Sequence, residues 1–194
     1  MNPSVPDFLE RVRPIRMRDP LAQFLGAPRD GGMEYSYLDA VKLTGHSCPT
    51  VAGAYQATAE ALTELYPGEL PERGAIRVEL RGAAEEGVTG VVASVAALIT
   101  GAAGEGGFKG IAGRFARQGL LAFHAPISKD LRFTRVDTGA AVDIDLPAAP
   151  AMSAELRDAL RKALSPVSSS ADRAQFAQGW QARVEALLRS EATA

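Results

Sequence analysis

One cysteine is too few for an intrachain disulfide, so the 194-residue chain does not read as a secreted fold held by bridges. A surplus of positive charge is also missing. Its 21 Lys and Arg stand against 23 Asp and Glu, a net charge of -2 at pH 7, which argues against general nucleic-acid binding through a basic surface. Long, strongly apolar runs are absent too. The longest uncharged stretch, Gly87 to Gly104, is rich in Ala and Gly. A bilayer span takes about 20 predominantly apolar residues, so this stretch reads as a buried helix and no membrane association is expected. MNPSVPDFLERVR has no apolar run after a basic start, so no signal peptide is expected and a cytoplasmic location follows. No C-x-x-C-H occurs for covalent haem, and no G-x-S-x-G for an elbow-type hydrolase.

What remains is ordinary globular material, 46% hydrophobic and 23% charged, in a chain long enough for one core. Residues 1–32 hold five prolines and several charges and read as an irregular N-terminal arm with short helical turns. Within it Arg11, Arg13, Arg16 and Arg18 sit beside Glu10 and Asp19, as a solvated face or partner contact would.

From Pro49 the apolar positions Val51, Tyr55, Ala59, Leu62 and Leu65 step by four and three, a helical stripe that Pro67-Gly68 ends. RGAIRVEL alternates Ile76, Val78 and Leu80 against Arg77 and Glu79 as a half-buried strand does. Thr89 to Ile99 predicts a helix packed between layers. TGAAGEGGFKG, with five glycines in eleven residues, reads as a loop. GRFARQGLLAF predicts a hairpin turning near Gln118-Gly119, and LRFTRV with AAVDIDL a second one around Asp137-Thr138-Gly139.

After a boundary in LPAAPAMS, Leu156, Leu160 and Leu164 mark one amphipathic helix. Phe176, Trp180, Val184 and Leu187 mark another, opened by Ser169 and Asp172 in a capping-box-like start. The expected class is α+β: a mixed sheet with hairpins packed on two core helices, spanning residues 33–147, followed by a C-terminal helical pair at 151–194, laid on the core or on a second subunit.

The rare residues crowd into KLTGHSCPTVAGAYQ, where His46 and Cys48 stand one residue apart before a helix start. Cys48 is expected at or just outside the N-cap, where backbone N–H groups and the helix dipole favour the thiolate, the form that binds metals and attacks electrophiles. In extended chain, residues two apart project to the same side, so imidazole and thiol can face one ion, or the imidazole can activate the thiol. The plain alternative is a buried cysteine beside a hydrogen-bonded histidine.

Structural zinc usually takes four ligands, mostly Cys and His, and the chain supplies three such side chains in all. Any site is therefore open, uses carboxylates, or is shared between subunits. His124, in LLAFHAP, is the remaining imidazole; Glu85, Glu86 and Glu34 are the carboxylates near enough in sequence to contribute. A strand-end histidine and solvated turn glutamates are the plain readings of these.

TGAAGEGGFKG lacks the Lys-Ser/Thr ending of a phosphate loop. Asp137-Thr138-Gly139 spells the aspartic-protease triplet, but between alternating strands it is a turn.

GHSCPTVAGAYQATAEAL resembles the Gly-His-x-Cys-Pro-plus-helix signature of the FmdE-like family, proteins related to the FmdE component of formylmethanofuran dehydrogenase. Gly45, His46, Cys48 and Pro49 carry the likeness, and LITG (98–101) and GFKG (107–110) extend it more loosely, over about residues 37–145. The resemblance implies an α+β core, intertwined homodimers, and a metal near the His-x-Cys pair, zinc ahead of iron. The chain lacks the family's Cys-x-x-Asp-Ala at the second helix and the cysteine-rich zinc finger of some members. Glu85 or Glu86 stands where a replacement ligand would.

The leading expectation is thus a homodimer binding one transition-metal ion per protomer through His46 and Cys48. Glu85, His124, the partner chain or water would complete the shell, in an accessory or redox-associated enzyme component. A non-covalent haem on His46 or Cys48 fits the same chemistry. A metal-free thiol protein using Cys48, and an assembly subunit contacting a partner protein through its terminal helices, are the alternatives.

Overall fold

The computed structural model describes residues 5–189; the ends of the N-terminal arm and of the C-terminal pair, 1–4 and 190–194, lie outside the described residues. The first elements are α1 (Phe8–Arg11), β1 (Ile15–Arg18), α2 (Pro20–Leu25), β2 (Gly32–Tyr35) and α3 (Tyr37–Thr44). They are followed by α4 (Pro49–Leu65), β3 (Ile76–Leu80), α5 (Thr89–Thr100), β4 (Leu121–Ala122), β5 (Leu131–Arg135), β6 (Ala141–Ile144), α6 (Ala154–Ala163) and α7 (Ser170–Arg189). The class is α+β, as the sequence pattern predicts, and no helix among the described residues is long and apolar enough to cross a membrane.

Four strands form one sheet in the order β4-β3-β5-β6. The β3–β5 and β5–β6 pairs are antiparallel, with Val78 opposite Phe133 and Phe133 opposite Val142. Ile76, Val78, Leu80, Leu131, Phe133, Val142 and Ile144 are all buried on one face. That face is covered by α4 and α5, which pack on each other. The opposite face is polar: Arg132 grips Asp143 on the neighbouring strand, with Nη2 2.8 Å from Oδ2. Period-two alternation therefore produces the two-faced sheet the sequence suggests.

Two segments differ from the sequence-based expectation. Residues 8–18 are built into the core and do not form an irregular arm, although the short helical turns expected there form as α1 and α2: Phe8, Leu9, Ile15 and Met17 are buried, and β1 pairs antiparallel with β2. The alternation Ile15-Arg16-Met17-Arg18 is a strand pattern, with arginines outward, hidden among prolines.

The hairpin expected in GRFARQGLLAF does not form. β4 pairs in parallel with β3, Val78 opposite Leu121, and the chain before it is a long loop tied back by Ala103 N–H to Arg117 O at 3.0 Å and by Leu120 N–H to Ala103 O at 2.9 Å. Strand β3, helix α5 and strand β4 thus make a crossover unit, and parallel neighbours cannot be joined by a tight turn.

At the C-terminus the structure has the helical pair that the sequence predicts, laid on the core. Helices α6 and α7 do pair, and the Ser169–Asp172 capping box forms, with Asp172 N–H to Ser169 Oγ at 3.1 Å and Ser169 N–H to Asp172 Oδ2 at 2.9 Å. Val184 and Leu187 enter the same core as the sheet, and Gln56 of α4 donates to Leu187 O at 3.0 Å.

Candidate functional site

Two helix ends create the motif loop. Ser36 and Asp39 cap α3 reciprocally, with Asp39 N–H to Ser36 Oγ at 3.2 Å and Ser36 N–H to Asp39 Oδ2 at 2.9 Å. The same helix ends at Gly45, whose φ of 77° is left-handed and whose N–H bonds Val41 O at 2.8 Å. His46, Ser47 and Cys48 then cross to α4. Cys48 is its N-cap, extended at φ -148°, with Pro49 at the first helical position, where its missing N–H costs nothing. The Cys48 side chain makes no capping bond and is half-buried against the core. It is a free thiol at the start of a 17-residue helix.

His46 is exposed, and its Nδ1 lies 2.9 Å from Thr44 O. A carbonyl can only accept, so this contact places a proton on Nδ1 and leaves Nε2 as the lone-pair nitrogen of the neutral ring. Metal-bound histidines are commonly oriented in this way, through a backbone carbonyl on the other ring nitrogen.

Ser47 anchors the loop from three sides. Its carbonyl accepts from Trp180 Nε1 at 3.0 Å and Gln181 Nε2 at 3.2 Å, both on α7. Its hydroxyl lies 3.0 Å from the Tyr37 hydroxyl on α3. Burial pushes the Tyr37 phenol up to about 12, the Ser47 bond pulling slightly the other way, so this group is a neutral hydrogen-bonding partner and not a base near neutral pH. Nothing in the sequence marks Tyr37, Trp180 or Gln181 as part of this loop. Trp180 shows there only as one member of an apolar stripe, and no local pattern links residue 47 to residues 180 and 181.

His124 and Glu85 are not gathered with His46 and Cys48 into one cluster of three or more ligands among the described residues. Helix α4 runs antiparallel to β3: Arg135, opposite Ile76, reaches Leu65 O at 3.2 Å, whereas Gly53 lies against Pro147 beyond the other end of the sheet. The start of α4 and the end of β3 therefore share one end of the molecule. His124 is placed there by its N–H to Gly82 O at 3.0 Å, at a left-handed φ of 55°, and is exposed. Glu85 is exposed in the turn before α5. The neighbouring Glu86 folds back onto Ala83 N–H at 3.1 Å and lines a cavity of about 520 Å³ with Thr89 and Asp130. Glu34, on β2, faces Arg16 at 3.6 Å.

Among the described residues no three His, Cys, Asp or Glu side chains come together closely enough to hold an ion. The single chain thus brings His46 and Cys48 into one braced loop and does not gather His124 or Glu85 with them into a full ligand set. Comparison of the chain with family models, with curated proteins and with solved structures finds no match in any of the three.

Proposed function

We propose that the protein binds a transition-metal ion through His46 Nε2 and Cys48 Sγ, zinc ahead of iron, in a half-site completed by a second copy of the chain or by water. The observation that carries this reading is the 2.9 Å contact from His46 Nδ1 to Thr44 O, which orients an exposed imidazole with Nε2 available two residues from a thiol that caps a helix. The donor set, one imidazole and one thiolate, suits zinc or iron. Two donors leave a four-coordinate ion open, so the remaining positions would fall to a second copy of the chain or to water. This reading accords with the likeness of Gly45-His46-Ser47-Cys48-Pro49 to the FmdE-like family, whose homodimers place a metal near this pair.

A bound ion with an open position would supply Lewis acidity toward a carbonyl or a water. The chain's own part is to hold the loop. Trp180 and Gln181 fix the Ser47 carbonyl, Tyr37 fixes its hydroxyl, and Cys48 surrenders its proton on binding.

Cobalt(II) titration tests the reading, because thiolate ligation produces a charge-transfer band. That band is expected in the wild type, lost in Cys48→Ser and altered in His46→Ala. Absence of any cobalt spectrum from the folded wild type rejects the proposal. A second reading uses Cys48 as a metal-free nucleophile or sensor, favoured by its uncapped thiol at the α4 start. It predicts alkylation of Cys48 at a rate that a chelator leaves unchanged, whereas the metal reading predicts faster alkylation once the ion is removed.

A further inference from the structure

At the opposite end of β3 from the motif loop, a cavity of about 630 Å³ opens among Arg18, Arg73, Arg114, Arg117, Phe24 and Phe115. Its size is that of a small-molecule site. Behind its wall Asp19 joins two of the arginines, with Oδ1 2.7 Å from Arg117 Nη2 and Oδ2 3.0 Å from Arg73 Nη1. Glu72 pairs with Arg18 at the cavity's edge. Four guanidiniums therefore stand against two carboxylates, leaving an excess of positive charge around an open cavity.

The arginines are also incompletely satisfied. Arg117 is 6% exposed, yet its Nε and Nη1 have no hydrogen-bond partner among the described residues, and neither has Arg73 Nε. These are three of the six buried side-chain polar atoms without a partner among the described residues. Buried polar groups are almost always paired, and a guanidinium held inside with donors unused calls for an acceptor.

The backbone makes room for this arrangement. A Cβ on Gly74 would lie 2.1 Å from Arg117 Nη1, and one on Gly101 2.6 Å from it, so glycine at both places lets the guanidinium lie along the main chain at the cavity wall. The apolar side of the cavity is aromatic. Phe24 and Phe115 have ring centroids 5.3 Å apart, Phe24 is 59% exposed, and Arg114 covers the Phe115 ring at 4.8 Å. Phe115 takes a left-handed φ of 64°, rare for so bulky a residue, and thereby turns the loop over the cavity.

We infer that this cavity binds a small organic anion, its carboxylate or phosphate meeting Arg117 and Arg73 and its flat apolar body lying on Phe24 and Phe115. Guanidinium donors suit either oxyanion, and an aromatic wall selects a ligand with a hydrophobic body over a bare ion. The site is independent of His46 and Cys48, so it stands or falls apart from the metal reading.

The test is titration of the full chain at low ionic strength with phenyl phosphate, benzoate, inorganic phosphate and benzyl alcohol. Binding is read by calorimetry and by the arginine Nε–H resonances. Saturable binding of phenyl phosphate or benzoate is expected, with a shift of the Arg117 resonance, and the tighter of the two identifies the headgroup. Inorganic phosphate is expected to bind more weakly than the better of the two, and benzyl alcohol not to saturate. Arg117→Met is expected to weaken binding about tenfold or more. If that variant does not fold, Arg114→Gln at the exposed mouth, expected to weaken binding without unfolding, and the wild-type Arg117 resonance carry the test. An Arg117 resonance unmoved by both organic anions, or benzyl alcohol binding as tightly as they do, overturns the proposal.

Discussion

Replacing Asp19 tests the electrostatic joint that ties α2 to the rest of the fold. Its carboxylate is 3% exposed and does two things at once. Oδ1 caps α2 through Leu21 N–H at 2.9 Å and Ala22 N–H at 3.1 Å, and the two oxygens hold Arg117 and Arg73. Asp19→Asn keeps an acceptor for the cap but loses the charge and sets an amide N–H against Arg73, donor to donor. Stripping one partner from a buried ion pair costs about 3–5 kcal/mol. Asp19→Ala removes the cap as well, which adds about 1 kcal/mol. Either loss is large against a total stability of about 5–15 kcal/mol.

Urea unfolding followed by circular dichroism measures both variants, with equal slopes required for comparison. A cost for Asp19→Asn below about 1 kcal/mol would refute the reasoning, because that is the level of an exposed pair. The same joint has a pH signature. Burial pushes the Asp19 carboxyl up, but the Ala22 N–H and the two guanidiniums outweigh it and hold it below its ordinary 3.8. The unfolded chain therefore binds the proton first on acidification. Asp19's contribution is fully present above the ordinary carboxylate value and is lost as pH falls through the lower folded value, a loss Asp19→Asn lacks.

Trp180→Phe keeps a single aromatic ring but deletes the Nε1–H donor to Ser47 O, and is expected to cost at least about 1 kcal/mol in urea unfolding; no change would mean that Gln181 alone holds the loop. Ultraviolet titration of Tyr37, isolated as the difference from Tyr37→Phe, is expected to show phenolate forming only near pH 12, and a transition near 10 would show that the phenol is not buried. Deleting residues 151–194 removes Val184 and Leu187 from the core and the acceptor of Gln56, so the remainder is expected to lose its cooperative calorimetric transition. A remainder that melts as the full chain does would instead make the helical pair a separable appendage.

Helices α4 and α5, strands β3, β5 and β6 and the C-terminal pair are all legible in the sequence, the strands and α4, α6 and α7 because apolar residues recur at the matching period, and α5 because its uncharged run suits a helix buried between layers. Strand β1 has the same period-two signal, but four residues flanked by Pro14 and Pro20 are too few to stand out. Helix α3 is announced only by Ser36 and Asp39, with Asp in place of the usual Glu or Gln of a capping box. The parallel pairing of β4 with β3 depends on α5 bringing the chain back, which no local pattern encodes.

The site divides in the same way. Cys48 at the N-cap follows from Pro49 and the stripe behind it. The brace on Ser47, by contrast, comes from α7, and the union of Asp19, Arg73 and Arg117 draws on three distant segments. A buried arginine looks like any solvated one in a sequence.

His46 and Cys48 are proposed to hold a metal ion. Elemental analysis of untagged protein, paired with Cys48→Ser and checked for fold by circular dichroism, tests it most directly. Zinc or iron is expected in the wild type, at one ion per chain or one per two chains where a second copy completes the half-site, and is expected to be lost from a folded Cys48→Ser. A folded wild type that carries no metal and takes up none from solution, or a Cys48→Ser that retains the full complement, would contradict it.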